Sequence, residues 1–325
     1  MSKRFISMLA ALVALATGLT IAAPTASARS AVVATYRLSP GGYDLATGLG
    51  AVWALNGDEY HYGKLYRIDP VTGRMTVAAK LSFPAGGIAI ADNSIWISDY
   101  FGNAVWRFSP TGAVQAEIGV GLQPQWLHAA FGSVWASNHH GASVSRIDPA
   151  TNTVVATAPA GAPGVFRDGP QAMTDDGKKL YVLSSNQQAL QAVDPSTNTT
   201  TTFASTQDAG CGPLTAIAGF VWSADGCTGA FYQLATDGTV EHVLPSTGAP
   251  GGVTTLGSQF WISNDTTFDP DTGAGTGAVV EKLDPVSGAV LRTISLGGDA
   301  LDLVGAFNDL WVYDSVANTI RRVHV

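Results

Sequence analysis

Charge is scarce in this chain. Only 13% of its 325 residues are Asp, Glu, Lys or Arg, and 25 acidic side chains outnumber 17 basic ones, for a formal charge of −8. Nucleic-acid binding needs a basic patch, and the acidic balance argues against such a partner. Histidine occurs six times and cysteine twice. Zinc sites draw on four ligands, so two isolated cysteines do not suggest one. No Gly-x-Ser-x-Gly elbow, Gly-x-x-x-x-Gly-Lys loop or His-Glu-x-x-His helix occurs. The usual signs of an α/β-hydrolase, a P-loop NTPase and a zinc protease are therefore missing. Repeated Trp-Asp and Gly-His dipeptides are missing too, which argues against a WD40 array. Past residue 23 no apolar run approaches the ~18 residues of a membrane helix.

The first residues read as a leader. Lys3 and Arg4 precede an apolar stretch from Met8 to Ala23, and Ala26-Ser27-Ala28 has the small-x-small form of a signal-peptidase site. Residues 1–28 are expected to be a signal peptide, leaving residues 29–325 as one secreted or periplasmic domain with no stable membrane span. Loss of Lys3 and Arg4 takes the formal charge from −8 to −10. No Pro/Ser-rich linker divides the remainder.

What fills the chain is a repeat. An apolar residue directly precedes an aromatic seven times, at Val52-Trp53, Ile95-Trp96, Val134-Trp135, Leu180-Tyr181, Val221-Trp222, Phe260-Trp261 and Leu310-Trp311. The steps run from 39 to 50 residues, close to the ~40–45 of a four-stranded propeller blade. Within residues 124–158 the pattern gives strand A at Trp126–Ala130, B at Val134–Ser137, C at Ala142–Ile147 and D at Thr153–Thr157. Between C and D the turn recurs as Asp69-Pro70, Ser109-Pro110, Asp148-Pro149, Asp194-Pro195, Thr236-Asp237-Gly238 and Asp284-Pro285. There Asp accepts from turn amides and Pro fixes φ.

After Trp311 the chain ends at a strand C, Thr319–Val325. Ala31–Leu38 reads like the missing strand D. The expectation is an all-β fold: a seven-bladed propeller of four-stranded blades, its ring closed by the N-terminal strand joining the last blade. A closed ring has no open edge, so a monomer is expected. Cys211 and Cys227 stand eight residues either side of Gly219 in the A–B hairpin of blade 5. An antiparallel pairing brings them face to face, and export favours a disulfide.

The repeat text, carried by Gly132, Val134, Trp135, Asn138, Val144, Arg146–Pro149, Thr151 and Val154–Ala156, resembles the seven-bladed propellers grouped around YVTN repeats and virginiamycin B lyase (streptogramin lyase). That resemblance spans the chain after the leader and implies the fold. For the lyase members it implies magnesium-assisted elimination opening a cyclic depsipeptide ester, with a histidine base and metal-binding glutamates in the late blades. After residue 220 the histidines here are His242, on an outer strand D, and His324, on the last strand C; the glutamates are Glu241 and Glu281. Glu241 and His242 point to opposite faces of their strand, and the lyase residues do not map one by one.

Loops on the D–A and B–C end are long and variable, where function tends to sit. They include residues 56–63, 160–171 and 264–277. Alternate residues of strand A line the central channel. Seven before each aromatic stand Ala46, Ala89, His128, Thr174, Thr215, Thr254 and Val304. Two positions nearer the loops, Asp44 and Asp302 come from neighbouring blades, and Trp126 stands above His128 in blade 3. His139 and His140 follow on its B–C loop. Asp44, Trp126, His128, His139, His140 and Asp302 are therefore the candidate ligand-binding residues. His128 is the candidate base, and Asp44 and Asp302 are weak candidate ligands for Mg or Ca, although no cofactor is expected. Simpler roles are also open: Asp44 and Asp302 as acceptors for backbone amides, His128 as a hydrogen-bonded channel residue. Asp265, Asp269 and Asp271 form a loose calcium-like set.

Taken together, these features lead to a non-enzymatic binding or scaffold protein acting through its loop face on an extracellular small molecule, peptide, glycan or protein. The alternative is a metal-assisted lyase of the streptogramin type or a related hydrolase.

Overall fold

The computed structural model describes residues 31–41, 43–58, 61–161, 169–184, 189–205, 212–226, 228–246, 248–268 and 275–325. Among these there is no α-helix; antiparallel sheets of four strands succeed one another along the chain in a propeller-like fold. The four strands expected within residues 124–158 fall within two residues of those observed: Pro124–Ala130, Ser133–Asn138, Ser143–Asp148 and Thr153–Pro159. The first two ladders share one long strand, Met75–Ala91, which leaves one sheet as its outer strand and enters the next as its inner strand. Val32–Arg37 lies antiparallel to Thr319–His324, with Tyr36 opposite Ile320, so the outer strand of the last sheet comes from the start of the domain. Cys211 and Cys227 lie outside the described residues.

The repeat aromatics are the core. Trp53, Trp96, Trp135, Trp222, Trp261 and Trp311 are 0% exposed and Tyr181 is 1% exposed. Buried rings of this size dominate packing between stacked sheets. Four of the indoles donate to the carbonyl five residues earlier: Trp53 to Gly48, Trp96 to Ala91, Trp135 to Ala130 and Trp311 to Ala306. Each aromatic also faces, across the A–B hairpin, the residue seven positions before it, from Ala46 opposite Trp53 to Val304 opposite Trp311. That spacing is the hairpin register, and it puts the seven inner residues at one level of the fold.

A second contact system recurs through an arginine that faces the tryptophan across the B–C hairpin. Arg107 lies 4.9 Å over the Trp96 ring, Arg146 5.1 Å over Trp135 and Arg322 5.3 Å over Trp311. The same guanidinium groups then donate to a C–D turn of the following sheet: Arg107 to the Pro149 carbonyl at 2.5 Å, Arg146 to Pro195 at 2.6 Å. Arg322, in the last sheet, donates to Pro70 of the first at 2.6 Å. Gln233 performs the same contact with Pro285 at 2.7 Å. Turn aspartates behave as the sequence suggests: Asp69 accepts from the amides of Val71 and Thr72, and Asp284 from Val286 and Ser287. These amides hold both carboxyls below the usual range.

Candidate functional site

The inner strands are irregular where they approach the loop end. Ladder register shifts between Ala85 and Ile88, between Pro170 and Met173, and between Pro250 and Val253; opposite Pro124 to Leu127 it shifts as well. Bulges of this kind re-aim side chains and are common beside functional sites. A serine two residues after the tryptophan takes over an amide released from the ladder: Gly87 N–H donates to Ser98 Oγ at 2.7 Å, Trp126 to Ser137 at 3.0 Å, and Gly252 to Ser263 at 2.7 Å. Ser98 in turn donates to the Gln125 carbonyl of the next sheet. A side chain at Gly87 would lie 2.6 Å from that carbonyl and 3.0 Å from Trp126 Cα, so glycine is what lets the two inner strands approach.

These strands enclose a cavity of about 990 Å³. It draws residues from the inner strand of every sheet, including Asp44, Ala89, Trp126, His128, Thr174, Thr215, Thr254 and Asp302. Of the candidates, Asp44, Trp126, His128 and Asp302 line it. His139 and His140 do not; they pack beside Trp126 instead. His139 is 8% exposed, its ring edge-on to Trp126 at 6.3 Å and tilted against His140 at 5.2 Å. His140 continues the row to Tyr100, whose ring meets Phe101.

Asp44 and Asp302 form a carboxylate pair between the first and last sheets. Ile88 N–H donates to Asp44 Oδ2 at 3.1 Å and Leu303 N–H to Asp302 Oδ1 at 2.7 Å. Asp302 Oδ2 is buried and has no side-chain or cationic partner among the described residues. Burial, then the charge of Asp302, pushes the Asp44 carboxyl up to about 7; burial pushes Asp302 up to about 6. The pair thus gives up its protons near neutrality. Both the amide-acceptor role and the carboxylate-pair role are present at once.

His128 is engaged. Its Nε2 stands 2.8 Å from Asp175 Oδ2, on the inner strand of the next sheet and at the A–B end of it. That hydrogen bond holds the Asp175 carboxyl below its usual range. The imidazole is therefore tied to a carboxylate at the A–B end of the strand, whereas Asp44 and Asp302 stand nearer the loop end.

A second acidic group lies between the last two sheets on the loop end. Asp265, Asp299 and Asp314 are 2%, 4% and 5% exposed, beside Arg321 at 7%. Arg321 reaches Asp314 at 3.6 Å and donates to the Gly297 and Asp299 carbonyls. Ser315 N–H donates to Asp299 at 2.7 Å and Ala317 N–H to Asp314 at 2.8 Å. Burial, then the hydrogen bond and charge of Asp299, pushes Asp265 up to about 8. Asp265 thus belongs to this group; Asp269 and Asp271, with which it was matched as a calcium-like set, lie outside the described residues, as do residues 59–60 and 162–168 of the other long loops. No set of three or more described His, Cys, Asp or Glu residues is arranged to hold a metal.

Polar residues three after each aromatic end strand B and fasten its loop. Asp99 accepts from Gly102 N–H at 2.8 Å, Asn138 from Gly121 at 3.1 Å and Asp225 from Thr228 at 3.0 Å.

Comparison with known proteins supports the fold. A repeat family described as a repeat of unknown function (DUF6923) matches residues 118–276. No curated protein matches by sequence. Among solved structures, virginiamycin B lyase from Staphylococcus aureus superposes with a TM-score of 0.72 at 15% identity, covering 90% of this chain and 98% of that one. A catalytically inactive variant of the same enzyme, solved with quinupristin, gives 0.70 at 14% identity over 90% and 98%. BamB from Moraxella catarrhalis gives 0.56 at 18% identity over 88% and 82%. The resemblance read from the repeats therefore holds at the level of the fold, and identities this low speak for the fold alone.

Proposed function

We propose that this chain is an exported seven-bladed β-propeller that binds an extracellular small molecule, peptide, glycan or protein through the loop end of its channel, without catalysing a reaction. In this reading residues 1–28 direct export, Cys211 and Cys227 form a disulfide, and the domain acts as a monomer. Two contacts support a closed ring: the Val32–Arg37 strand paired to Thr319–His324, and Arg322 bonded to Pro70 across the seam. The observation that carries the binding role is the 990 Å³ cavity, whose open end is shaped by bulged inner strands and lined by Trp126, Asp44 and Asp302. Concave sites with a few placed polar groups are where ligands bind. A thermal-shift screen of the purified domain with extracellular peptides, glycans and small molecules tests this. A ligand should raise Tm by mass action, and Trp126→Ala should abolish the rise. A Tm rise that survives this substitution would place the binding surface elsewhere.

A lyase of the streptogramin type is the second reading, favoured by the shared fold and by an imidazole and two carboxyls lining one cavity. The described residues do not fit the magnesium ion that such chemistry would use. Magnesium takes six oxygen ligands in near-ideal octahedral geometry; Asp44 and Asp302 have no third carboxylate beside them, and one oxygen of each is held by an amide. His128 is oriented by Asp175. Incubation with a type B streptogramin and Mg²⁺ is expected to leave the ring intact. Turnover in the wild type would overturn the non-enzymatic reading, and turnover surviving His128→Ala would remove His128 as its base.

A further inference from the structure

We propose that the channel cavity selects an organic cation: an ammonium group seated against the Asp44–Asp302 pair, carried on an apolar body that lies toward Trp126. This rests on the binding role proposed above and specifies its ligand class.

Charge inside the cavity comes from few sources. Among the described lining residues the titratable ones are Asp44, Asp302, His128 and Tyr100, and there is no lysine or arginine. His128 is already engaged by the Asp175 carboxyl at 2.8 Å. Tyr100 is 7% exposed and packs on Phe101 and His140. The strands beside the pair present Ile88, Thr254 and Leu303, all uncharged. Asp302 is the charge that acts on Asp44, and amides are the groups that hold the two carboxyls down. Among the described residues, two adjacent carboxyls are built into the cavity and no cation lines it to balance them. Buried polar atoms almost always find a partner, yet Asp302 Oδ2 has no side-chain or cationic partner among the described residues, and the amides of Leu303 and Leu45 are what act on its carboxyl. In the free protein, protons compensate the pair; a bound cation does so in the complex.

The remaining wall mixes threonines such as Thr174, Thr215 and Thr254 with apolar side chains. Leu301, 52% exposed, stands next to Asp302 and also lines the cavity, with Trp126, Met173, Pro213 and Val304 around it. Large apolar side chains left exposed around a polar focus mark a binding rim, and tryptophan attracts a nearby cation through its ring face. A hard divalent ion would want six to eight oxygens, and two carboxyls without a third suit a monovalent organic group better. Lysine side chains share that chemistry with free amines, so both sources are compared below.

Binding of 2-phenylethylamine, of its neutral counterpart 2-phenylethanol, of the peptide Ac-Lys-Trp-NH₂ and of CaCl₂ or MgCl₂ alone is measured by calorimetry on the full domain at pH 8 and pH 5. The expected result has three parts. An amine probe binds at pH 8 at least tenfold more tightly than phenylethanol. It weakens at least tenfold at pH 5, where both carboxyls hold protons. Asp44→Asn and Asp302→Asn each cost about tenfold at pH 8. Melting curves of the two Asn variants, which keep a carbonyl acceptor for the Ile88 and Leu303 amides, show whether the fold persists; a variant that unfolds is replaced by Asp44→Ser or Asp302→Ser. Preference for the free amine or the peptide decides the source. Equal binding of amine and alcohol, or binding unchanged in both variants, overturns the cation assignment and leaves the cavity as a ligand site. Binding of Ca²⁺ or Mg²⁺ lost in the variants, with no amine binding, overturns it in favour of a metal. Absence of binding by every probe overturns it too, while the broader ligand screen tests the binding role separately.

Discussion

Replacing Asp265 by Asn should change how this protein's stability depends on pH. Asp265 is 2% exposed and sits at the end of strand Gln259–Asn264, beside Asp299 and Asp314. Burial, then the hydrogen bond to Asp299 and its charge, moves the carboxyl from an ordinary 3.8 up to about 8. The folded chain therefore holds this proton more tightly than the unfolded chain. For such a group the stabilisation is fully present below the unfolded value and is lost as pH rises through the folded one. With these two values, linkage gives a loss of roughly 2–3 kcal/mol between pH 6 and pH 9. A chain of this length converts ~1 kcal/mol into about 2 °C, so Tm should fall by roughly 5 °C from this group alone.

Asparagine keeps an N–H donor toward Asp299 and cannot ionise. Asp265→Asn should therefore come closest to the wild type below the unfolded value, near pH 4, and exceed it by a margin that widens by roughly 5 °C between pH 6 and pH 9. Melting curves followed by circular dichroism at pH 6, 7, 8 and 9 provide the test. Asp44 and Asp302 add a loss of the same sign at lower pH, which cancels in the difference between the two proteins. An identical alkaline decline in wild type and variant would refute the reasoning.

Three further outcomes follow from the contacts. Arg146→Ala removes the stacking on Trp135 and the bond to the Pro195 carbonyl; urea unfolding should show a loss of about 2–3 kcal/mol, and Lys, which lacks the planar fork, should restore less than half. Asp175→Asn removes a carboxyl that His128 holds below its usual range. Its contribution is present above the unfolded value and lost as pH falls through the folded one, so the variant should be weaker by under ~1 kcal/mol at pH 6, a partly exposed pair being screened, and indistinguishable at pH 2. Deleting residues 29–38 strips the strand paired to Thr319–His324 and the Tyr36 ring that stacks on Trp311 at 5.8 Å; the truncated protein should associate through the bare edge, and a monomer with unchanged Tm by light scattering and calorimetry would count against ring closure.

The repeat was legible because one physical role, a large ring buried between sheets, fell at one position of each hairpin. Counting back seven residues from each aromatic recovered the inner strand, since seven is the cross-strand register from Ala46 to Val304. Asp44, Trp126, His128 and Asp302 were legible for the same reason. Other features escaped because they are contacts between repeats. Arg146, before Ile-Asp-Pro, looked like part of a turn motif, yet it bonds a carbonyl 49 residues away, and Arg107 bonds one 42 residues away. The recurrence of such an arginine beside tryptophan was the available signal. Trp-x-Ser at residues 96–98, 135–137 and 261–263 signalled the bulge anchors and passed as ordinary strand text. The grouping of Asp265 with Asp299 and Asp314 left no local trace, because three loops converge to make it. His139 and His140 followed from a position on a loop, and a loop's path depends on what packs around it.

These inter-sheet contacts also segregate charge along the channel axis. Arg107, Arg146 and Arg322 all reach C–D turns, at one end of the strands. Apart from Asp309, which is paired with Arg322 at that same end, buried carboxyls collect at the other: Asp44 and Asp302 in the cavity, Asp265, Asp299 and Asp314 behind the neighbouring loops. The two ends are treated differently. At the C–D end each guanidinium is matched by an indole face and a carbonyl, so the contact stabilises the fold. At the loop end one guanidinium, Arg321, faces three carboxyls, and among the described residues none lines the cavity with the pair. Like charges buried together cost stability unless protons or a ligand compensate them. A propeller held together as well as this one has no structural need for that arrangement, since Thr254 performs the same inter-strand bond to Gly305 with a neutral hydroxyl. Thr174 does so for Ala216. At the level of Asp44 and Asp302 the other inner strands carry Gly87, Trp126, Ala172, Pro213 and Gly252, so two aspartates there are a local departure from the repeat, and such departures concentrate where a fold carries its function.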